Sequence, residues 1–222
     1  DPEQGYIRRI VLVDPVLNQE DIFGDAWLGL DPAWSPDGAL IACVKGGSLA
    51  LYDVETQRHV GDREAPGRLS GPSWSPHGEY IVFAYAPDAS IVGPGAVGGI
   101  ATLNVEDGTF TQLTFDDADI SPAWGPDGRI VFVRAGDIYV MVEDGSAVTR
   151  LTNDGQNGSP AWSPDGQQIA FLSSRDEECS QWLLDQPPFC TNEIHVMNAD
   201  GSDVQVLRQE NEHIWSLSWG TD

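Results

Sequence analysis

Two short runs of oxygen-bearing side chains stand out: Asp116-Asp117-Ala118-Asp119 and Asn153-Asp154-Gly155-Gln156-Asn157. Such ligands suit a hard cation, because Ca²⁺ takes about six to eight oxygens and several short loops can share them. Neither run is a D-x-D-x-D-G loop, so a site has to draw on both. The alternative is a solvated acidic rim in which Asp and Asn serve turns. A second group is Trp27, Asp31, Trp182, Glu212, His213 and Trp215. Aromatic rings beside acids and an imidazole suit a protein partner or a small ligand.

Nucleophilic and metal-hydrolytic signatures are absent. There is no G-x-S-x-G elbow and no H-E-x-x-H pair. Gly93-Pro94-Gly95-Ala96-Val97-Gly98 matches G-x-G-x-x-G by letter. No helical pattern follows it, so the dinucleotide geometry is missing and it reads as an insertion loop. The four histidines, His59, His77, His195 and His213, are scattered. The expectation is a non-catalytic binding module. The competing class is one domain of, or a gating module for, a larger hydrolase, lyase or sensor.

Composition narrows the partners. With 11 Lys+Arg against 35 Asp+Glu, the 222-residue chain has a net charge of −24. A phosphate-tracking nucleic-acid binder is excluded, since that affinity comes from cationic side chains. No apolar run approaches the roughly 20 residues of a spanning helix. Eight Trp, seven Phe and five Tyr exclude an unfolded acidic tail. The acidity also fits adaptation to salty or acidic surroundings, or solubility through self-repulsion.

Cys179 and Cys190 bracket an irregular segment rich in Pro and Gln, and a disulfide closing that loop is expected. A bridge points to an oxidising compartment, periplasmic or extracellular. The start Asp1-Pro2-Glu3 is consistent with a processed export product. Cys43, inside Leu40-Ile41-Ala42-Cys43-Val44, reads as a core thiol.

The elements that must position these groups come from one repeat. Pro32-Ala-Trp34-Ser-Pro-Asp-Gly38 returns as Pro72-Ser-Trp74-Ser-Pro-His-Gly78, Pro122-Ala-Trp124-Gly-Pro-Asp-Gly128 and Pro160-Ala-Trp162-Ser-Pro-Asp-Gly166. Leu217-Ser-Trp219-Gly220 is a truncated fifth copy. Tryptophan spacings of 40, 50, 38 and 57 residues give a basal period of one four-stranded propeller blade, with two insertions. These are Ala86 to Gly98 and Ser173 to Thr191. Each unit reads as a strand ending at Trp, a Pro-Asp-Gly turn, a β-rich run such as Ile130-Val-Phe132, a third run such as Ile138-Tyr-Val-Met141, and a fourth after an Asp-Gly hairpin.

The fold expected is an all-β propeller, residues 1–222 forming one domain of five blades with about four antiparallel strands each. The ring closes by pairing N- and C-terminal strands, because Tyr6 to Asp14 and Gln19 to Gly24 fill the third- and fourth-strand places of a blade begun by Trp215 to Gly220. The alternative is a fragment of a six-bladed ring. The junctions from each fourth strand to the next inner strand then collect the acidic runs at one rim.

The tandem Pro-Ala-Trp-Ser-Pro-Asp-Gly, Ile-Ala-Phe, Ile-Tyr-Val-Met, Asp-Gly-Ser and Leu-Thr resembles the repeat of TolB-type β-propellers over nearly the whole chain. The resemblance implies a periplasmic protein-interaction platform, without the separate α/β domain that TolB carries. Similar propellers gate prolyl oligopeptidases or occur in secreted and sensor proteins. His77 for the turn Asp and Gly125 for the Ser are departures that a turn tolerates. A monomer presenting its acidic junction face to a protein, a cation or a small ligand is the functional expectation.

Overall fold

The turn after each tryptophan is built from side chains as well as backbone. In the computed structural model, which describes residues 10–14, 19–23, 30–88, 95–175, 193–208 and 217–219, Ser35 Oγ donates to the Asp37 carboxylate at 2.6 Å and accepts the Leu40 N–H at 2.8 Å. Ser163 repeats this with Asp165 at 2.6 Å and the Gln168 N–H at 2.9 Å. One hydroxyl thereby ties the turn to the first residues of the following strand. The hydrogen bond from Ser35, then that from the Ala39 N–H, lowers the Asp37 pKa.

Eighteen strands are found among the described residues, and no helix. β1 (Ile10–Asp14) and β2 (Gln19–Phe23) pair antiparallel as a hairpin sheet of their own. Sheet I is β3 (Leu30–Trp34), β4 (Leu40–Lys45), β5 (Ser48–Asp53) and β6 (Arg58–Glu64). Sheet II is β7 (Gly67–Trp74), β8 (Tyr80–Pro87), β9 (Gly99–Asn104) and β10 (Phe110–Gln112). Sheet III is β11 (Asp119–Trp124), β12 (Ile130–Arg134), β13 (Asp137–Met141) and β14 (Thr149–Arg150). Sheet IV is β15 (Asn157–Trp162), β16 (Gln168–Ser173), β17 (Glu193–Asn198) and β18 (Gln205–Arg208). Each of the four is an antiparallel meander in chain order. Their first strands β3, β7, β11 and β15 touch in succession. The expected strands are therefore present in four complete blades. Residues 217–219 carry no strand pairing.

The second strands are apolar on both faces because a blade packs against two neighbours. Val82, Ile100, Phe132 and Met141 form one core between sheets II and III. Trp162, Phe171 and Val131 form another between III and IV, while Trp74, Phe83, Leu49 and Ala42 join I to II. Trp74 Nε1–H donates to the Ala33 carbonyl at 3.0 Å, and Trp219 Nε1–H to the Ala161 carbonyl at 3.0 Å. This bond is a clasp from one repeat to the one before it. Trp34 is 51% exposed and Trp74 only 8%.

A bulge recurs three residues before each tryptophan. Asp31, Gly71, Ser121 and Ser159 have φ of 52°, 57°, 52° and 47°, each within a register shift of the inner strand pair. An extra left-handed residue bends the strand and re-aims its backbone. Asp31 uses this: its carboxylate accepts the N–H of Gly71, its counterpart one sheet on, at 3.1 Å.

Candidate functional site

The junctions entering β11 and β15 carry the six predicted oxygen ligands, and the structure places four of them, Asp116, Asp119, Asp154 and Asn157, against two arginines. Asp119 opens β11, where its register partner is Arg134 at the end of β12. Arg134 Nε and Nη2 donate to its two carboxylate oxygens at 2.6 and 2.7 Å. Asp116 lies 3.5 Å from Arg134 Nε, and its other oxygen accepts the Ala118 N–H at 3.0 Å. The guanidinium lies 5.5 Å from the centre of the Phe132 ring and 5.2 Å from that of Tyr139. Hydrogen bonding to Asp119 raises the Arg134 pKa against the effect of burial.

The next junction repeats the scheme with a shifted cation. Arg175 Nη2 lies 3.0 Å from Asp154 and donates to the Asn157 amide oxygen at 2.9 Å. Arg175 Nε donates to Ser173 Oγ at 2.9 Å, and the guanidinium lies 5.6 Å from the Phe171 ring centre. The Asn157 amide also donates to Thr152 Oγ1 at 3.0 Å and to Asp154. Asp117 is used elsewhere, accepting the Gly98 N–H at 2.6 Å, and Asn153 is exposed.

Asp116 and Asp119 lie beside the Arg134 guanidinium, and Asp154 beside that of Arg175. Among the described residues no group of three His, Cys, Asp or Glu side chains is placed to hold a metal ion. Asp31 serves the inner-strand contact described above. Trp27, Trp182, Glu212, His213, Trp215, Cys179 and Cys190 lie outside the described residues.

Third strands add two buried acids at the same rim. Asp137 opens β13 and accepts from Arg150 Nη2 at 2.5 Å, the Gly155 N–H at 3.0 Å and Thr152 Oγ1 at 3.2 Å. Glu193 opens β17 and lies 3.1 Å from His195 Nε2, both side chains being buried. His195 packs on Phe171 with ring centres 5.5 Å apart. Sequence reasoning missed the two arginines. Their signal was present as a basic residue closely following the repeat phenylalanine, at Phe132-Val-Arg134 and Phe171-Leu-Ser-Ser-Arg175.

Beside these pinned groups the surface is apolar. Phe115 is 72% exposed and Ile120 48%, flanking Asp116 and Asp117. Such an arrangement offers exposed apolar side chains among acidic ones.

The family profile described as the TolB beta propeller domain matches residues 13–181. The chain belongs to the TolB β-propeller family. TolB from Acinetobacter baumannii superposes with a TM-score of 0.66 at 19% identity, over 90% of this chain and 49% of that one. Oligogalacturonate lyase in complex with manganese gives 0.62 at 15% identity, over 90% of this chain and 58% of that one. These likenesses show the propeller fold. The uncharacterized peptidase YuxL of Bacillus subtilis (strain 168) is 26% identical over 157 residues, 50% of this chain and 24% of that protein. This TolB-type propeller therefore spans about a quarter of the length of that curated relative.

Proposed function

We propose that this TolB-type propeller is a non-catalytic interaction module that presents its junction face to a protein partner. The observation that carries the reading is Phe115, 72% exposed at a junction whose neighbouring acid Asp119 is locked by Arg134. A rigid rim with an exposed aromatic ring supplies anchor area at low entropic cost, and the surrounding acids favour a basic partner. Export is part of the proposal and rests on the family resemblance and the expected Cys179–Cys190 bridge. The acidic surface, a monomeric state and one domain over residues 1–222 complete it, with the hairpin β1–β2 and the Trp219 segment closing a five-bladed ring. Support for closure comes from the Trp219 clasp, which repeats that of Trp74.

The test compares the wild-type chain with Phe115→Asp as bait in native extract. A partner held by the first and lost by the second supports the reading. Peptide mapping without reductant should find Cys179 linked to Cys190.

A second reading is favoured by the match to YuxL, of which the chain covers 24%. Here the propeller is one domain of a larger enzyme and gates its substrate. Turnover by the isolated chain in a metal-replete hydrolase and lyase screen would overturn the non-catalytic reading.

A further inference from the structure

A cavity of about 800 Å³ opens between sheets II and III at the end of the strands opposite the junction face. It is formed by the two turns that follow Trp74 and Trp124, together with Thr102, Thr111, Leu113, Glu143 and Asp144. Three comparisons with the neighbouring seams explain why it is there. An ideal Cβ on Gly78 would lie 3.5 Å from Pro36, and one on Gly166 would lie 3.1 Å from Pro126, so those successive turns touch. One on Gly128 would meet Glu143 at 3.5 Å and no atom of Pro76 within 4 Å. The clasp is also missing: Trp124 Nε1 is buried without an acceptor, unlike Trp74 and Trp219. Finally, no side chain among the described residues fills the gap.

The seam between sheets III and IV indicates what such a gap takes. Trp162 is unclasped too, yet the Arg129 guanidinium sits 4.7 Å from its ring centre and donates to the Ala199 carbonyl at 3.4 Å. Counted from the repeat tryptophan, Glu79 holds the place of Arg129, whereas by strand register Arg129, one residue before Ile130, matches Tyr80. Trp124 holds the place of Trp162, and Glu143 that of Ala199. Where that seam has a cation on an indole, this cavity wall has Trp124 together with the carboxylates of Glu79, Asp127, Glu143 and Asp144, and its lining holds no Lys or Arg. Tyr80 adds an exposed ring. His77 removes the acid that takes the serine proton in sheets I and IV. Ser75, 5% exposed, accepts the Tyr80 N–H, while its own proton has no acceptor among the described residues.

We propose that this cavity binds an arginine side chain of a partner polypeptide, its guanidinium on Trp124 between Glu79 and Glu143. Cation–π attraction and two carboxylates favour the guanidinium. The rest of the volume, with the unused Ser75 donor, accommodates backbone carrying carbonyl acceptors.

The test titrates the full chain with a short acetylated and amidated peptide containing one arginine, and with the same peptide carrying citrulline. The readout is the Trp124 indole resonance, assigned by its loss in Trp124→Phe. The arginine peptide is expected to shift it, with citrulline at least about tenfold weaker. Glu79→Arg, which puts a guanidinium of the chain's own in the cavity wall, should abolish binding. Glu79→Gln and Glu143→Gln should each weaken it, and the remote, exposed Glu55→Gln should leave it unchanged. If Glu79→Arg fails to fold, the two Gln variants carry the test. Equal affinity for arginine and citrulline, a silent Trp124 resonance at millimolar peptide, or full affinity in the Gln variants overturns the proposal. So does a shift produced by an uncharged sugar and not by the arginine peptide.

Discussion

Arg134 grips Asp119 with two parallel N–H···O bonds of 2.6 and 2.7 Å, and the Asp119 side chain is wholly excluded from solvent. The pair joins the first two strands of sheet III at their junction end. Bidentate geometry fixes direction as well as charge, so the loop bearing Asp116 and Asp117 is held to the sheet.

Removing one half of this pair leaves the other charge stranded. Arg134→Met should destabilise by roughly 3–5 kcal/mol, because buried Asp119 loses its counter-ion. Adding Asp119→Leu should recover much of that loss. Urea denaturation of the single and double variants measures both. A single variant within about 0.5 kcal/mol of wild type would remove the pair from the account of the fold.

Asp137 sets an acid limit on stability. Burial by itself raises its pKa, but the Gly155 N–H, the Arg150 guanidinium and the Thr152 hydroxyl outweigh it and hold the carboxyl below its ordinary value. A carboxyl depressed in the folded state contributes stability above its unfolded pKa of about 3.9, and that stability disappears as pH falls through the folded value. Asp137→Asn should therefore cost about 1–3 kcal/mol at pH 7. The gap to wild type should close below pH 4 in thermal melts. A gap independent of pH would assign the loss to packing.

Gly125 occupies the position where the other complete repeats carry Ser. Any Cβ there would sit 2.9–3.0 Å from the Trp162 indole. Gly125→Ser restores the repeat and should nevertheless destabilise by roughly 1–3 kcal/mol through overpacking. A rise in Tm would mean that the serine hydroxyl outweighs the clash.

Salt distinguishes internal neutralisation from a cation site. Because Asp119 and Asp154 already face Arg134 and Arg175, CaCl₂ and NaCl of equal ionic strength should raise Tm equally. A Ca²⁺-specific rise that Asp117→Asn abolishes would place a bound cation on this rim.

The sequence by itself determined the sheets and their order. The Trp-Ser-Pro-Asp-Gly turn is local chemistry, with Ser35 bonding Asp37 two residues away. Two-sided apolar runs such as Ile130 to Val133 require a neighbour on each face. Which acid meets which cation was decided only by tertiary structure. Asp119 and Arg134 are 15 residues apart, and Asn157 and Arg175 are 18 apart. Their meeting depends on β11–β12 and β15–β16 register. The cavity between sheets II and III depends on still more, since the spacing of two successive turns is set by packing between sheets. Local propensity fixes the shape of a blade. The distance between blades is fixed by side chains from different repeats, where one glycine or one arginine changes what fills the gap.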